Sequence, residues 1–470
     1  MLNQNIIARL KSIVGNENIE TTQTGLYTYS YDATPRFQAW PDAVVSPRNK
    51  HEIQKIVQLC NTYNIPIVPR GSGSNLSAGT TPIRGGIVLL FKHMDNIIEI
   101  DEENLTVTTE PGIITEDLIR KVEAKGLFYP PDPSSMQISQ IGGNINENSG
   151  GLRGLKYGVT RDYVLDLEVV LPNGEIIHTG GKLAKDVAGY DLTSLFVGSE
   201  GTLGIITEAT LKLLPMPESK KTMLALYHDI EQAAETVSAI IANRIIPATL
   251  EFLDKPTLQA VEDFAQVGLP TDVEAVLLIE QDGPPDIVEE DTEKIAKLCQ
   301  AHHAIRVSVA ETKQEAEALT AARRAALSAL SRLRPTTILE DATVPRSEVA
   351  NMVKTIAAIA EKYNVTICTF GHAGDGNLHP TCVTDLRDAE EMERVEKALE
   401  EIFHHAIELG GTITGEHGVG AMKAPFLHWK LGEAGVGVMK QIKQALDPNH
   451  IMNPGKLFTE EKRKRLVVTR

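Results

Sequence analysis

The sequence predicts an α+β chain, on three observations. Helical and extended patterns alternate through the first half, and glycines crowd residues 142 to 204, where backbone must approach something closely. Past a seam at Leu214-Pro215-Met216-Pro217 the rhythm changes to strand–helix–strand blocks. That order implies an antiparallel sheet covered by helices on one face. At 470 residues the chain exceeds a single ordinary core of ~100–200 residues.

The elements follow in order. Asn49–Tyr63 carries Ile53, Ile56, Val57 and Cys60 at helical spacing, and Pro66 ends that helix before a short strand at Ile67-Val68. Gly86–Phe91, Ile97–Ile100 and Thr106–Thr109 read as strands. Val164–Leu171 and Glu175–Thr179 flank Pro172-Asn173-Gly174, and Asn-Gly between extended runs predicts a hairpin, since both residues can adopt positive φ. After the seam, Met223–Tyr227, a helix around Ile230–Asn243 and Thr249–Leu253 form one block. Val276–Glu280, a helix over Ile287–His302 and Ile305–Ala310 form the next. A helix at Ser347–Tyr363 aligns Val349, Val353, Ile356 and Ala360 and feeds the strand Val365–Phe370. Glu390–Leu409 places Met392, Val395, Leu399, Ile402, Ala406 and Leu409 on one stripe.

Composition removes several functional classes. A net charge of −17 offers no broad positive field to displace counterions from a phosphate backbone, so no nucleic-acid partner is expected. Lys462-Arg463-Lys464-Arg465 reads as a solvated tail before a contact for an anionic membrane surface or a partner. Apolar runs such as Gly86–Phe91 fall short of the roughly 18 residues of a membrane span. Met1-Leu2-Asn3-Gln4 lacks the basic and apolar regions of a secretory signal. Cys60, Cys299, Cys368 and Cys382 show no C-x-x-C spacing, which argues against an iron–sulfur cluster or zinc ribbon and for reduced thiols in the cytoplasm.

Pro69-Arg70-Gly71-Ser72-Gly73-Ser74-Asn75-Leu76 follows a strand and can form a nest of backbone N–H groups for a phosphate. It lacks the third glycine of a Rossmann turn and the Lys-Ser/Thr of a P-loop, so alone it is equally an ordinary tight turn. Further segments of the same character follow it. Pro131-Asp132-Pro133-Ser134-Ser135 precedes Ile141-Gly142-Gly143-Asn144, Asn148-Ser149-Gly150-Gly151 and Gly198-Ser199-Glu200-Gly201-Thr202-Leu203-Gly204-Ile205-Ile206. In order and spacing, residues 40–217 resemble the FAD-binding domain of the vanillyl-alcohol oxidase superfamily (PCMH type), which implies two α/β subdomains. The resemblance assigns FAD contacts to Pro69, Arg70–Leu76, Pro131–Ser135, Gly142–Asn144, Asn148–Gly151, Glu200, Gly201 and Gly204–Ile206. Covalent members commonly carry a histidine in the first loop; Ser72 and Ser74 stand here, so the FAD is expected to bind non-covalently.

Gly371-His372-Ala373-Gly374-Asp375-Gly376-Asn377-Leu378-His379 ends one strand, turns and enters another. Two histidines flanking such a turn can converge on one ion if the strands pair, and Gly415-Glu416-His417-Gly418 offers a carboxylate. Zinc, manganese or iron(II) suits that donor set. A histidine near a strand end is more often structural, and His404 and His405 on a helix are read that way. The glycine-rich loops around His372, His379, Glu416 and His417 favour function.

Beyond Pro217 the chain resembles the C-terminal half of FAD-linked 2-hydroxy acid dehydrogenases, including glycolate oxidase flavoprotein subunits, D-lactate and D-2-hydroxyglutarate dehydrogenases. The resemblance gives 1–217 to FAD, 218–425 to a substrate cap with the metal, and 426–470 to a helical segment returning to the FAD domain. It makes His372, His379 and Glu416 metal ligands, usually for zinc, with His417 the base and Asn377 facing substrate or metal. Arg323, in Ala321-Ala322-Arg323-Arg324, becomes the carboxylate-binding arginine, and Asn453-Pro454-Gly455-Lys456 the segment at the flavin. Relatives using 2-hydroxyglutarate have a lysine just before Asp-x-x-x-Pro, where this chain has Glu340 before Asp341-Ala342-Thr343-Val344-Pro345. A short monocarboxylate such as glycolate or D-lactate is therefore favoured. Without a haem motif or cysteine cluster, electrons must leave to oxygen, a quinone or an iron–sulfur or electron-transfer partner; self-association is left open. A metallohydrolase would use the same histidines without the FAD segments, and a non-catalytic flavoprotein subunit would not need His417 and Arg323.

Overall fold

The computed structural model describes residues 2–35 and 37–458; the basic cluster 462–465 lies outside them. The chain forms two compact units. The first comprises residues 2–149, 159–216 and 416–458, and the second 150–158 and 217–415. The break at 216/217 falls in the Pro-x-Pro seam. The last stretch of the first unit already begins at Glu416, and the short excursion 150–158 belongs with the second unit.

The first unit holds two larger sheets, one per α/β subdomain, and a two-stranded ribbon. Strands β1 (Ile19–Glu20), β2 (Ala43–Val45), β3 (Ile67–Arg70) and β4 (Ile87–Leu90) assemble in the order β1-β2-β4-β3, with β2, β4 and β3 parallel. A parallel sheet needs a crossover, and the helix Lys50–Tyr63 supplies it. Asn49 caps its N-terminus by accepting from the His51 and Glu52 N–H groups, Ile53, Ile56, Val57, Leu59 and Cys60 face inward, and Asn64 turns left-handed ahead of Pro66. The helix Gln4–Val14 adds Ile6, Leu10 and Val14 to the same core.

The second subdomain contributes β5 (Ile97–Asp101), β6 (Thr106–Thr109), β7 (Leu127–Phe128), β8 (Val164–Val170), β9 (Ile176–His178), β10 (Ile205–Lys212) and β11 (Leu214–Pro215). Five of them form an antiparallel sheet, β5-β6-β10-β8-β9, while β7 pairs with β11. The expected β8–β9 hairpin is present, with its turn at Pro172-Asn173-Gly174. Only Gly174 takes positive φ (86°), and the Gly174 N–H donates to the Leu171 carbonyl at 2.8 Å. Pro172 forces a negative φ at the first loop position and lengthens the loop to three residues, so the left-handed residue falls at its end.

The second unit is one antiparallel sheet. Its strands are β12 (Ser219–Tyr227), β13 (Thr249–Asp254), β14 (Ala275–Gly283), β15 (Arg306–Val309), β16 (Thr336–Leu339), β17 (Ala342–Thr343), β18 (Ile367–His372) and β19 (Asn377–Thr384). The order is β15-β12-β14-β13-β18-β19-β16, with β17 also on β19. Alternation along the strands sorts two faces. Met223, Ala225, Tyr227, Leu250, Phe252, Leu277 and Ile279 pack with the helices Ile230–Ala242, Pro285–Ala301, Val349–Tyr363 and Ala389–Glu408. The opposite face is covered too: Leu226 and Val276 pack with Leu258 of the helix Lys255–Ala265. Helices on one face alone was therefore an incomplete expectation. Asp254 both ends β13 and caps that extra helix, whose start at Lys255-Pro256 leaves no loop between strand and helix.

All four cysteines are buried thiols outside any disulfide, and burial pushes the Cys60 thiol up to about 12 and Cys299 to about 11. Among the described residues no helix is long and apolar enough to cross a membrane.

Candidate functional site

In the first unit a cleft opens between the glycine segments. Pro69, Arg70, Gly71, Gly142, Gly143, Glu200, Gly201, Gly204 and Ile206 line it, as the sequence leads one to expect. Gly143 sits in the first turn of the helix Ile141–Glu147, and a Cβ there would enter open space, so its backbone face is what the cleft presents. Arg70 is buried beneath the loop that follows it: its guanidinium donates to the Tyr31 carbonyl at 2.7 Å and fills the place a Gly73 side chain would take.

Other expected FAD contacts shape the walls without lining the cleft. Ser72 Oγ donates to the Ile138 carbonyl. Asn75 accepts from the N–H groups of Ser77 and Gly79, and Asn144 donates to Thr115 Oγ1 at 2.8 Å. Asn148 closes its helix in a left-handed conformation. Asn453 donates to the carbonyls of Gly79 (2.9 Å) and Glu200 (2.7 Å), pinning the C-terminal segment to two cleft segments. Ser74, Leu76, Ser149 and Ile205 stand beside these residues, and Pro131 and the buried Asp132 lead into a separate turn that holds Ser134 and Ser135. Gly150 and Gly151 fall in the excursion assigned to the second unit.

Sequence reading missed Gly79, Thr80, Phe91, Pro111, Gln140, Asn146 and Glu147, which also line the cleft. The small-residue run Ser77-Ala78-Gly79-Thr80-Thr81, directly after the recognised loop, was the signal available.

Glu200 links the cleft to the His417 loop. Its two carboxylate oxygens accept from the N–H groups of Val419 and Gly420, each at 2.7 Å, and Ser77 Oγ donates to the His417 carbonyl at 2.9 Å. Gly418 has φ 79°, and a Cβ there would lie 2.0 Å from Glu147 Oε2 and 3.2 Å from Glu200 Oε1, so only glycine fits. The two carboxyl groups thus crowd one point. Burial first, then the neighbouring Glu200 and Asp32 carboxylates, push the Glu147 carboxyl well above its usual range. Burial also raises Glu200, against the pull of its two N–H donors and of Lys456 and Lys423. Glu147 is the member that takes the proton, since both Glu200 oxygens already accept hydrogen bonds.

The second unit carries a polar cluster on the sheet face opposite its main helical core. Glu251 on β13, Phe370 and His372 on β18, and Asn377 and His379 on β19 alternate onto that face. Register sets Phe370 opposite His379 and His372 opposite Asn377, so the Asp-Gly turn does bring the two histidines together. Their ring centroids lie 5.0 Å apart with perpendicular planes, and the Phe370 ring stands 5.4 Å from His379. His372 Nδ1 is 2.8 Å from Glu251 Oε1, and Arg323 Nη2 is 2.5 Å from Glu251 Oε2. The Arg323 guanidinium lies 4.7 Å over the Phe370 ring. Burial works against charge on Glu251, yet Arg323 and then His372 outweigh it and hold the carboxyl below its usual range.

Asn377 Oδ1 accepts from Thr343 Oγ1 at 2.8 Å. Asp341, fully buried, accepts from the Gly415 N–H at 2.7 Å and from Thr414 Oγ1 at 3.1 Å. Gly415 is pressed so close to Asn377 that a Cβ would lie 2.7 Å from Asn377 Cγ. Glu416 and His417 follow Gly415 directly in the chain. His404 and His405 lie on the helix Ala389–Glu408, each paired with Glu408, as expected of structural residues.

Comparison with known proteins agrees with the seam at 216/217. Residues 41–180 match the family described as FAD binding domain, and residues 216–457 the family described as FAD linked oxidases, C-terminal domain. The glycolate oxidase subunit GlcD of Bacillus subtilis is 66% identical over the full length of both chains. GlcD of Escherichia coli K12 is 35% identical over 96% of this chain and 90% of its own. A D-lactate dehydrogenase of Anaerostipes hadrus is also 35% identical, over 96% of this chain and 95% of its own. Among solved structures, p-cresol methylhydroxylase with substrate bound superposes with a TM-score of 0.81 at 19% identity, over 97% of each chain. 4-Ethylphenol oxidase from Gulosibacter chungangensis gives 0.80 at the same identity, over 97% of this chain and 96% of its own. A glycine-walled cleft in one unit, a histidine face in the other and the relatives at full length lead to one assignment: the chain belongs to the FAD-linked oxidases, flavin-dependent oxidoreductases of the PCMH-type fold.

Proposed function

We propose that this chain oxidises a small 2-hydroxy acid, glycolate or D-lactate, to the 2-oxo acid. The observation that carries the reading is the His372–His379 pair on paired strands, with Arg323 tied to the same face through Glu251. The full-length likeness to a glycolate oxidase subunit and to a D-lactate dehydrogenase supports the substrate class. FAD, bound non-covalently in the first unit, supplies the hydride acceptor for the substrate Cα.

His372, His379 and Glu416 would hold a divalent ion, zinc before manganese or iron(II), which would supply Lewis-acid stabilisation of an alkoxide. The donor set fits: the Nδ1 contact to Glu251 orients one imidazole, and Gly415, held by Asp341 against Asn377, directly precedes Glu416 in the chain. Arg323 is assigned to the substrate carboxylate; its Nε is buried without a hydrogen-bond acceptor among the described residues, so an incoming carboxylate would satisfy it. Asn377 would face the substrate, and His417 would accept the hydroxyl proton.

The relative's description as a subunit supports electron transfer to a partner, and we place the chain in the cytoplasm. The decisive experiment is an anaerobic visible spectrum of the FAD-loaded protein with glycolate, D-lactate, L-lactate and D-2-hydroxyglutarate added separately. Bleaching of the flavin band by glycolate or D-lactate is expected. A band that only D-2-hydroxyglutarate bleaches would overturn the monocarboxylate assignment, and one that no acid bleaches would point to a subunit without this activity.

A further inference from the structure

We propose that Glu251 is a positioning residue that holds two arms of the site at once, the His372 imidazole and the Arg323 guanidinium. It rests on the reading of His372 as a metal ligand and Arg323 as the carboxylate-binding residue.

Glu251 is fully buried in a strand, Thr249-Leu250-Glu251-Phe252-Leu253-Asp254, that is buried throughout. A leucine or methionine would pack there without the desolvation cost that a carboxylate carries. Its two oxygens are divided between two partners 2.8 and 2.5 Å away, on different elements: β18 and the last turn of the helix Lys313–Arg324. On the histidine side, an Nδ1–H donated to Oε1 fixes the tautomer and leaves the lone pair on Nε2, while fixing the plane of the ring. On the arginine side, Oε2 and the Phe370 ring set the guanidinium from two directions. The contacts close on themselves: Glu251 to His372, His372 to His379, His379 to Phe370, Phe370 to Arg323, and Arg323 back to Glu251. A closed circuit of buried groups preorganises each member through two neighbours. Glu251 touches both arms, the imidazole by a hydrogen bond and the guanidinium by an ion pair.

The test uses the full-length FAD-loaded chain, stripped of metal by chelation and titrated with Mn²⁺ by electron paramagnetic resonance. Removing Glu251 alone would strand the Arg323 charge, so Glu251→Met is combined with Arg323→Met and compared with Arg323→Met alone. The double variant is expected to keep FAD and to bind Mn²⁺ about 10–100-fold more weakly than the single variant. Glu251→Gln, which can offer its one carbonyl oxygen to only one arm, is expected to raise KM for the hydroxy acid several-fold at saturating Mn²⁺ with kcat little changed. A space-filling role would lower the melting temperature and leave Mn²⁺ affinity alone. Equal Mn²⁺ affinity in the double and single variants, while His379→Ala loses the ion, would overturn the role of Glu251 and leave the metal reading standing. Wild type and His379→Ala binding Mn²⁺ equally weakly would overturn both. If the double variant does not fold, ¹⁵N spectra of histidine-labelled, metal-free wild type decide: a His372 proton on Nδ1 supports the proposal and one on Nε2 overturns it.

Discussion

The cleft of the first unit is walled largely by backbone, whereas the polar face of the second is made of side chains that carry charge. Gly71, Gly142, Gly143, Gly201 and Gly204 present peptide groups to the cleft, and glycine is needed there for what it lacks. On the sheet face Glu251, Arg323, His372 and His379 are buried or nearly so, and each is held by another of them. A backbone site suits a large ligand shared by many oxidoreductases, because its shape survives most substitutions. A side-chain site suits the discriminating step, because losing one atom leaves a buried neighbour unsatisfied. The two should therefore fail differently when mutated.

The largest effect is expected at the chemistry. His417→Ala should retain FAD, seen in the visible spectrum, and lose about 10²–10⁴ in turnover; wild-type turnover would remove His417 from the role of base. In the backbone site the damaging change is an addition. Gly143→Val places branched carbons in the open space of the cleft and should weaken FAD binding about tenfold or more, ~1.4 kcal/mol or above, measured by titrating apoprotein. The melting temperature of the apoprotein should move little. A normal FAD affinity in that variant would mean the cofactor does not approach this face of the helix.

A smaller effect sharpens the comparison by asking what buried charge costs the second unit. Burial pushes the Asp254 carboxyl up to about 6 from an ordinary 3.8, although its oxygens accept from the Thr257 and Thr369 N–H groups. The folded protein therefore binds a proton here more tightly than the unfolded chain. This contribution is full below the unfolded value and is lost as pH rises through about 6. The stability of wild type relative to Asp254→Asn should fall by up to ~3 kcal/mol between pH 4 and pH 7, read from chemical denaturation at each pH. A difference that grows with pH would mean Asp254 is held as a carboxylate.

Much of this was legible in the sequence, and the reasons differ by region. Periodicity located the helices Lys50–Tyr63, Ile230–Ala242, Val349–Tyr363 and Ala389–Glu408, because each buries one stripe against a sheet. The Asp-Gly turn announced the pairing of β18 with β19, and with it the meeting of His372 and His379. The second helical layer escaped notice because Lys255-Pro256 reads as a break, whereas proline is welcome in a helix's first turn. Glu251 could not have been found: its partners lie 121 and 72 residues further along, and nothing local in Thr-Leu-Glu-Phe-Leu-Asp says which acid faces which way. Glu147 was hidden likewise, since its significance lies in meeting Glu200 and Gly418.

The buried cysteines carry a consequence for a protein built around redox chemistry. A reduced flavin that meets oxygen can release peroxide, and peroxide attacks thiolates rather than thiols. With Cys60 at about 12 and Cys299 at about 11, the thiolate fraction at pH 7 is only ~10⁻⁵ and ~10⁻⁴. Burial that arose from packing thus leaves these two thiols chemically silent toward the oxidants its own turnover could generate.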